Sequence, residues 1–306
     1  MRIAVIDLGT NTFNLLIVDQ KKSGFKVLFN DKIPVKLGEG GLNESVIKPE
    51  PYLRGLQAFC KWHQTCLEYQ TDRIFALATS AIRSAINGGH FIKELKARTG
   101  IHVKVISGAK EAELIYYGVR AAFQKPLKKS LIMDIGGGST EFIIVENDSI
   151  IWKKSFLLGA ARLLDRFKPT DPISLEEYRA IEDFLEAELV PLWKKVRQFK
   201  CASLIGSSGS FDTFAELIIQ KSNPKNGLGK RKTYTFNLLD YFVLHNELVK
   251  SDHSRRILMP GMLAMRADMI VIASLLSNLV LKKTGIKKMQ MSTYSLKEGV
   301  IFSQIF

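Results

Sequence analysis

Cysteine is scarce in this chain of 306 residues, which contains only Cys60, Cys66 and Cys201. The number is odd, and the spacing matches no zinc-binding pattern. These features exclude a framework of disulfide bonds and a structural zinc site. We therefore expect reduced thiols, as in a cytoplasmic protein.

Long apolar runs are also missing. The most apolar late segment, MIVIASLLSNLVL at 269–281, contains Asn278 and is shorter than the roughly 20 residues that cross a bilayer. The first residues, MRIAVIDLGT, have the pattern of a β-strand rather than that of a signal peptide. The sequence thus predicts a cytoplasmic protein with no membrane partner.

Two familiar catalytic signatures are absent as well. The sequence has no G-x-x-x-x-G-K-[ST] element, so the P-loop mechanism is excluded. The five histidines are scattered, and none has a metal-ligand spacing or belongs to a recognisable catalytic triad. We therefore expect these histidines to be structural or surface groups.

Acidic residues are outnumbered by basic ones. Lys and Arg total 44 against 30 Asp and Glu, which gives a formal net charge of +14. Such an excess favours a polyanionic partner such as nucleic acid, a nucleotide or polyphosphate, although a basic surface can also serve solubility alone. No strip of interleaved aromatic and basic residues is present, so we expect no nucleic-acid partner.

The chain contains a repeated segment. Residues 3–19 (IAVIDLGTNTFNLLIVD) and 130–146 (SLIMDIGGGSTEFIIVE) share an apolar strand, an acid, a glycine turn and a second apolar strand. When Asp7 is aligned with Asp134, Gly9 falls on Gly136. Each segment predicts a β-hairpin with an acid at the end of its first strand. Two such hairpins, in a chain long enough for two domains, indicate a duplicated domain.

Helix and strand patterns alternate around these hairpins. SLEEYRAIEDFLEAELVPLWKKV, at 174–196, predicts one helix that begins with a capping box of Ser174 and Glu177. ASLIGSSGSFDTFAELII, at 202–219, predicts a strand, a glycine loop and a helix. We therefore expect two α/β domains, each with a mixed sheet and surrounding helices, and a cleft between them.

The glycine turns indicate anion binding, because glycine lets backbone N–H groups approach a ligand closely. Two tight hairpins with no ligand are the alternative. A third loop, GSSGSF at 206–211, is a weaker candidate of the same kind. The candidate phosphate-binding residues in these turns are Gly9, Thr10, Asn11, Gly137, Gly138, Ser139, Gly206 and Ser208.

Charged residues beside the turns are candidates for catalysis. Asp7, Asp134 and Glu141 would repel a phosphate unless they hold Mg²⁺ or activate water, and solvated surface acids are the alternative. Glu111 follows a glycine turn at a predicted helix start, where a favourable helix-dipole contact and a general-base role are compatible. Arg83 is a candidate to bind phosphate oxygens, or is an ordinary helix-surface arginine.

Eight motifs, in order, resemble those of the exopolyphosphatase / guanosine pentaphosphate phosphohydrolase family. They are IDLGTNTFNLLIV, ATSAIRSAINGGHF, VISGAKEAELIYYGV, MDIGGGSTEFIIV, LLGAARLLDRF, IGSSGSF, MPGMLAMRADMIVIASLL and LKEGV. The resemblance implies two actin-like (ribonuclease-H-like) domains with the substrate in the cleft between them. The first would span 1–122 and be completed by a C-terminal helix at about 296–306, and the second would span 123–295.

The resemblance also implies hydrolysis of a terminal phosphoanhydride bond of polyphosphate or guanosine pentaphosphate. Glu111 would be the base that activates water, and Asp134 and Glu141 would help to place the water. Mg²⁺ or another divalent cation would lie near Asp7, Asp134 and Glu141. Asn11, Arg83, Gly137, Gly138 and Ser139 would bind phosphates, and relatives suggest a homodimer.

The sequence departs from the family pattern in places. Lys110 stands where many members have a glutamate. Longer members add a helical domain with a His-Asp motif that this sequence lacks, so processive cleavage of long polyphosphate is not expected. An ATP-dependent kinase on the same fold and a non-catalytic binder of alarmone nucleotides or polyphosphate remain alternatives. The sequence does not favour either of the two substrates.

Overall fold

The computed structural model describes residues 1–21, 24–223 and 225–305, with side chains up to Ser303 in the last helix. The first of two sheets has the order β3-β2-β1-β4-β5. Strands β1, β2 and β3 are antiparallel, whereas β4 and β5 run parallel to β1. Its strands are β1 (Arg2–Leu8), β2 (Thr12–Lys21), β3 (Gly24–Pro34), β4 (Arg73–Ala78) and β5 (Val103–Val105).

The second sheet repeats this topology. Its strands are β6 (Ser130–Ile135), β7 (Thr140–Glu146), β8 (Ser149–Phe156), β9 (Ser203–Ser207), β10 (Thr233–Phe236) and β11 (Met289–Ser292), in the order β8-β7-β6-β9-β11-β10. Strand β6 pairs antiparallel with β7 and parallel with β9, as β1 does with β2 and β4. The duplicated, actin-like (ribonuclease-H-like) fold is therefore confirmed, with β10 as an added edge strand that the sequence analysis did not predict.

Helices pack around both sheets. In the first half they are α1 (Pro49–Glu68), α2 (Ser80–Ser84), α3 (Gly88–Thr99) and α4 (Gly108–Ala122). In the second half they are α5 (Ala160–Phe167), α6 (Leu175–Glu188), α7 (Val190–Phe199), α8 (Gly209–Ser222), α9 (Leu238–Lys250), α10 (His253–Ile257), a 3-10 helix (Ala264–Arg266), α11 (Ile270–Thr284) and α12 (Leu296–Ile305).

One helix prediction is wrong in part. The capping box of Ser174 and Glu177 is present, but the helix predicted over 174–196 is divided at Leu189 into α6 and α7. Pro191 explains the break, because proline has no backbone N–H and its ring clashes with the preceding turn. The last helix is confirmed from Leu296, and Phe306 lies outside the described residues.

Two helices, α4 and α12, lie between the sheets. A single buried cluster combines Val5 and Val18 of the first sheet, Ile132 and Ile143 of the second, and apolar residues of both helices. The helices approach so closely that a Cβ atom on Gly118 would lie 1.9 Å from the carbonyl oxygen of Ser295. Helix α4 belongs to the first predicted domain but contacts β7 and β8 of the second sheet, and the boundary predicted between residues 122 and 123 stays a prediction.

The apolar segment 269–281 is a helix of the protein core. Between residues 270 and 281 every side chain of α11 is buried except the half-buried Asn278. Contacts with α5, α6, α7, α8 and α9 account for this burial. Among the described residues, no helix is long and apolar enough to cross a membrane.

Candidate active site

The two hairpin turns have the same local geometry. In the first, the Gly9 N–H donates to the Thr12 carbonyl at 3.1 Å, and in the second, the Gly136 N–H donates to the Ser139 carbonyl at 2.9 Å. Asp7 pairs with Asn14 across the first hairpin, as Asp134 pairs with Glu141 across the second. The duplication therefore extends to the residues that carry the candidate chemistry.

The turns face each other at close range. A Cβ atom on Gly138 would lie 2.5 Å from Thr10 Oγ1 and 2.7 Å from Ser80 Oγ, and one on Gly137 would lie 3.1 Å from Thr10 Cβ. Any larger residue at Gly138 would therefore push the halves apart. Asn11 Nδ2 and Ser80 Oγ are buried polar atoms with no hydrogen-bond partner among the described residues. Such unpaired donors fit an anion that is bound between the turns.

A cavity of about 410 Å³ lies at this junction. Its volume is within the range of pockets that hold small molecules. Of the residues predicted from the sequence, those that line it are Asp7, Gly9, Thr10, Asn11, Glu111, Asp134, Gly137, Gly138, Ser139, Glu141 and Ser208. The cavity is thus lined by residues of both hairpins, of α4 and of the loop before α8.

Two predicted residues do not line this cavity. Gly206 is buried within β9, where a Cβ atom would lie 2.0 Å from the ring of Phe211, so packing explains the glycine. Arg83 is the second, and its Nη1 donates to Glu111 Oε2 at 2.8 Å and to the Ile106 carbonyl at 3.0 Å. It is therefore a partner of the candidate base in this structure.

Glu111 is held at the start of α4. Ser107 caps this helix by accepting a hydrogen bond from the Lys110 N–H, and Glu111 follows in the first turn. Burial raises the pKa of Glu111 to about 7, although the Arg83 guanidinium opposes the rise. A carboxylate with a pKa near neutrality can exchange protons at physiological pH, as a general base must.

Glu141 is more deeply buried, with 1% of its surface exposed. Ser155, its direct neighbour across β7 and β8, donates a hydrogen bond from Oγ to Glu141 Oε1 at 2.6 Å. Burial and the nearby charge of Glu111 hold the pKa of Glu141 well above its usual range. The two glutamates therefore titrate as a coupled pair.

Asp134 is fixed by two serines from distant segments. Ser208 Oγ donates to its Oδ1 at 2.7 Å, and Ser295 Oγ donates to its Oδ2 at 2.6 Å. Ser208 adopts a φ of +72°, a left-handed conformation that is unusual for serine. Burial raises the pKa of Asp134, and these hydrogen bonds oppose the rise. The Ser208 hydroxyl, predicted to bind phosphate, is thus engaged with a carboxylate.

Asp7 completes a group of four acids. It accepts a hydrogen bond from Asn14 Nδ2 at 3.0 Å, and burial raises its pKa to about 6. Burial is the main cause that raises the pKa values of Asp7, Asp134, Glu111 and Glu141, and repulsion between neighbouring acids adds to the rise at Asp7, Glu111 and Glu141.

Sequence reasoning did not name several residues of the site. Arg266 lies within a quoted motif, so its position in the sequence was a usable signal. Ser155 carries no local signal, because its role depends on the register between β7 and β8. Further residues that line the cavity or contact its acids include Lys32, Ser80, Ser155, Asp212, Arg266, Ser295 and Lys297.

Comparisons with known proteins agree with this geometry. The sequence model of the Ppx/GppA phosphatase family matches residues 16–305. A Haemophilus influenzae protein named as a candidate exopolyphosphatase is 28% identical, over 98% of this chain and 90% of that protein. The guanosine-5'-triphosphate,3'-diphosphate pyrophosphatase of Photobacterium profundum is 26% identical, and this chain spans 59% of its length.

Solved structures show the same fold. A crystal structure of an exopolyphosphatase from Cytophaga hutchinsonii is 41% identical and has a TM-score of 0.96, with 100% of this chain and 98% of that chain covered. The PPX-GPPA enzyme of Aquifex aeolicus is 23% identical and has a TM-score of 0.81, with 99% of each chain covered, which supports the fold alone.

Proposed function

Because this chain belongs to the Ppx/GppA phosphatase family, we propose that it is a hydrolase that releases terminal phosphate from polyphosphate or guanosine pentaphosphate. One observation carries the proposal: the turns of both hairpins and the carboxylate of Glu111 line the same cavity. A chain of phosphates in this cavity would be bound from two sides and have a buried carboxylate beside it.

The turns are proposed to bind the phosphates. Backbone N–H groups of Gly137 and Gly138, with the hydroxyls of Thr10 and Ser139, are the expected donors, and Gly9 gives the first turn its shape. The unpaired amide of Asn11 supports this role, because a buried donor without a partner costs stability until a ligand satisfies it.

Glu111 is proposed to act as the general base. It would accept a proton from a water molecule whose oxygen attacks the terminal phosphorus, while the bond from phosphorus to the bridging oxygen breaks. The products are inorganic phosphate and a substrate that is one unit shorter. Arg83 would orient Glu111 through their hydrogen bond, and its predicted contact with phosphate stays a prediction.

A divalent cation fits the donor set of the site. Asp7, Asp134 and Glu141 offer oxygen ligands, and a cation would favour the charged forms of these buried carboxylates. Within the described residues no three His, Cys, Asp or Glu side chains converge as a preformed metal site. One or two carboxylates, with substrate oxygens and water, would therefore hold the ion, as is usual for Mg²⁺. When bound, the ion would neutralise charge on the phosphoryl group.

Other predictions from the sequence carry over as proposals. We propose domains at 1–122 with the helix at 296–306, and at 123–295. The homodimer and the cytoplasmic location also stay predictions.

The proposal is tested by phosphate release from both substrates with the wild type and the variants Glu111→Gln and Glu113→Gln. Glu113 lies on the same helix and pairs with Lys110 and Lys153. We expect Glu111→Gln to lower kcat by about 100-fold or more and Glu113→Gln to leave it unchanged. Near-normal turnover of Glu111→Gln would exclude the base assignment. Consumption of ATP with a sugar acceptor would favour a kinase. Binding of either substrate without turnover would favour a non-catalytic binder.

A further inference from the structure

Helix α5 supports the turn of the second hairpin through hydrogen bonds to its carbonyl groups. The Ala160 N–H donates to the Gly136 carbonyl at 2.9 Å, and the Arg162 N–H donates to the Gly137 carbonyl at 3.0 Å. The third carbonyl, that of Gly138, accepts from the side chain of Arg162, whose Nε lies 2.9 Å away. All three glycine carbonyls are therefore held by one helix.

Helix and turn are in close contact. A Cβ atom on Gly159, which precedes α5, would lie 2.3 Å from the Gly137 carbonyl oxygen. Among the described residues, none of α5 lines the cavity, whereas Gly137, Gly138 and Ser139 do. The helix therefore contacts the turn on its side away from the cavity.

This support fixes the direction of the N–H groups in the turn. A trans peptide group is planar, so the C=O of one residue and the N–H of the next point in opposite directions. The carbonyls face α5, and the N–H groups of Gly137, Gly138 and Ser139 therefore point away from it. In the described part of the chain these three N–H groups make no hydrogen bond. The turn thus offers three unpaired donors to an anion.

Arg162 also places a buried positive charge behind the turn. It is 8% exposed, its Nη1 donates to the Leu42 carbonyl at 2.6 Å, and its Nη2 has no hydrogen-bond partner among the described residues. Burial lowers the pKa of Arg162 and Asp165 opposes this, but Asp165 Oδ2 accepts a hydrogen bond from Asn43 instead, at 2.7 Å. Arginine stays protonated in proteins, and burial of a charge without an ionic partner is costly. A phosphate at the turn would provide the opposite charge.

The first hairpin holds its turn without such a side chain. There the Gly38 N–H donates to the Thr10 carbonyl at 3.1 Å, and the Val35 N–H donates to the Asn11 carbonyl at 3.0 Å. Within the described residues these two carbonyls accept hydrogen bonds from backbone groups only. The second turn therefore depends on one side chain that a substitution can remove.

We propose that Arg162 is a positioning residue for phosphate binding, which directs the N–H groups of the second turn at the phosphate and attracts it with its charge. This inference rests on the proposed function, because it assigns the residue that shapes the phosphate site of the same cavity. Leu42 belongs to the first half of the chain, so the guanidinium is held in place by both halves.

The experiment compares the wild type with Arg162→Met, Arg162→Lys and a matched control, Arg166→Met. Arg166 lies on the same helix but is exposed and outside the cavity, where its guanidinium packs on the ring of Phe184. Calorimetry gives the Kd for tripolyphosphate, and phosphate release gives KM and kcat.

We expect Arg162→Met to raise Kd and KM by about ten-fold or more and to change kcat much less, because the turn binds the substrate before and during the reaction. Arg162→Lys keeps the charge but lacks the planar fork, so its Kd should lie between those of the wild type and Arg162→Met. Arg166→Met should change none of these values.

Several results would overturn the inference. They are an unchanged Kd in folded Arg162→Met, a loss of kcat at unchanged KM, or an equal loss of affinity in Arg166→Met. If Arg162→Met does not fold, Arg162→Lys decides, since a Kd raised by about three-fold or more supports the inference and an unchanged Kd excludes it.

Hydrogen exchange tests the same point in the wild type. Tripolyphosphate should slow exchange at the N–H groups of Gly137, Gly138 and Ser139, and unchanged exchange there would exclude the inference. If the wild type binds tripolyphosphate but releases no phosphate, the proposed function fails and the Kd comparison still decides the role of Arg162. If Arg162→Met releases phosphate like the wild type, the hydrolase stands and the inference fails. A wild type that binds neither tripolyphosphate nor guanosine pentaphosphate would overturn both proposals.

Discussion

The ion pair between Arg83 and Glu111 should set the pH at which the enzyme becomes active. Burial raises the pKa of Glu111 to about 7, and Arg83, at 2.8 Å, keeps it from rising further. As the proposed base, Glu111 would work only when it is ionised, so kcat should rise with pH through about 7. Replacing Arg83 by Gln removes the opposing charge and should move this rise to higher pH.

The size of the effect follows from the geometry of the pair. The side chains of Arg83 and Glu111 are 21% and 10% exposed, so solvent screens the pair only in part. Opposite charges at such separations change a pKa by about one to three units. At pH 7 the variant should therefore lose about ten-fold or more in kcat, and it should recover near pH 9. Glu141 shares the titration, so the observed midpoint belongs to the pair of glutamates.

The assay is phosphate release at saturating substrate between pH 5 and about pH 10, which separates kcat from any loss of substrate affinity. Arg98→Gln is the control, because Arg98 forms a comparable but exposed pair with Glu94. If the rise in kcat stays at the same pH in Arg83→Gln, the ion pair does not tune the base and the assignment of Glu111 is undermined.

Three further predictions concern packing and positioning. Gly118→Ala should lower the free energy of unfolding by about 2 kcal/mol or more, because the added methyl group would lie 1.9 Å from a carbonyl oxygen. Gly89→Ala should not lower it, because no atom lies within 4 Å of the added methyl group. Chemical denaturation measures both free energies. Burial lowers the pKa of His245 to about 4. Between about pH 6.5 and pH 4 the unfolded chain therefore binds a proton that the folded chain does not, so the free energy of unfolding falls as the pH falls. Over this range the wild type should lose about 3 kcal/mol of unfolding free energy relative to His245→Gln, and parallel stability curves of the two proteins would contradict this. Ser155→Ala should lower kcat roughly ten-fold with little change in KM, because Glu141 loses its 2.6 Å donor, and a change in KM alone would argue against a positioning role.

The parts of the fold that could be predicted are those with local signals. The hairpins were predictable because strand, acid and glycine turn are contiguous in 3–19 and 130–146, and the repeat implied that they were equivalent. The strand β10 was not predictable from the sequence, because its segment TYTF is short and joins the sheet only through its pairing with β11. The break at Leu189 was visible in principle, since Pro191 follows it.

The residues of the candidate site likewise fall into those with a local sequence signal and those without one. Asp7, Asp134 and the turn glycines sit on local motifs, and the structure places them around one cavity. Gly206 belongs to such a motif too, but its backbone makes room for Phe211 instead. Ser295 lies 161 positions from Asp134 in the sequence, so only the assembled fold brings its hydroxyl to the carboxylate. Residues of this kind depend on tertiary contacts, which a single sequence does not reveal.

The position of α12 also limits how the protein can mature on the ribosome. Synthesis proceeds from the N-terminus, so both hairpins exist before residues 295–305 have been made. Until then the shared apolar faces, with Val5 on one sheet and Ile143 on the other, lack the helix that covers them. The nascent chain thus carries both hairpin turns early but gains Ser295 and Lys297 only later. Competence should therefore appear only after residues 295–305 have been made and have folded, and a co-translational folding intermediate would expose apolar surface to which chaperones can bind.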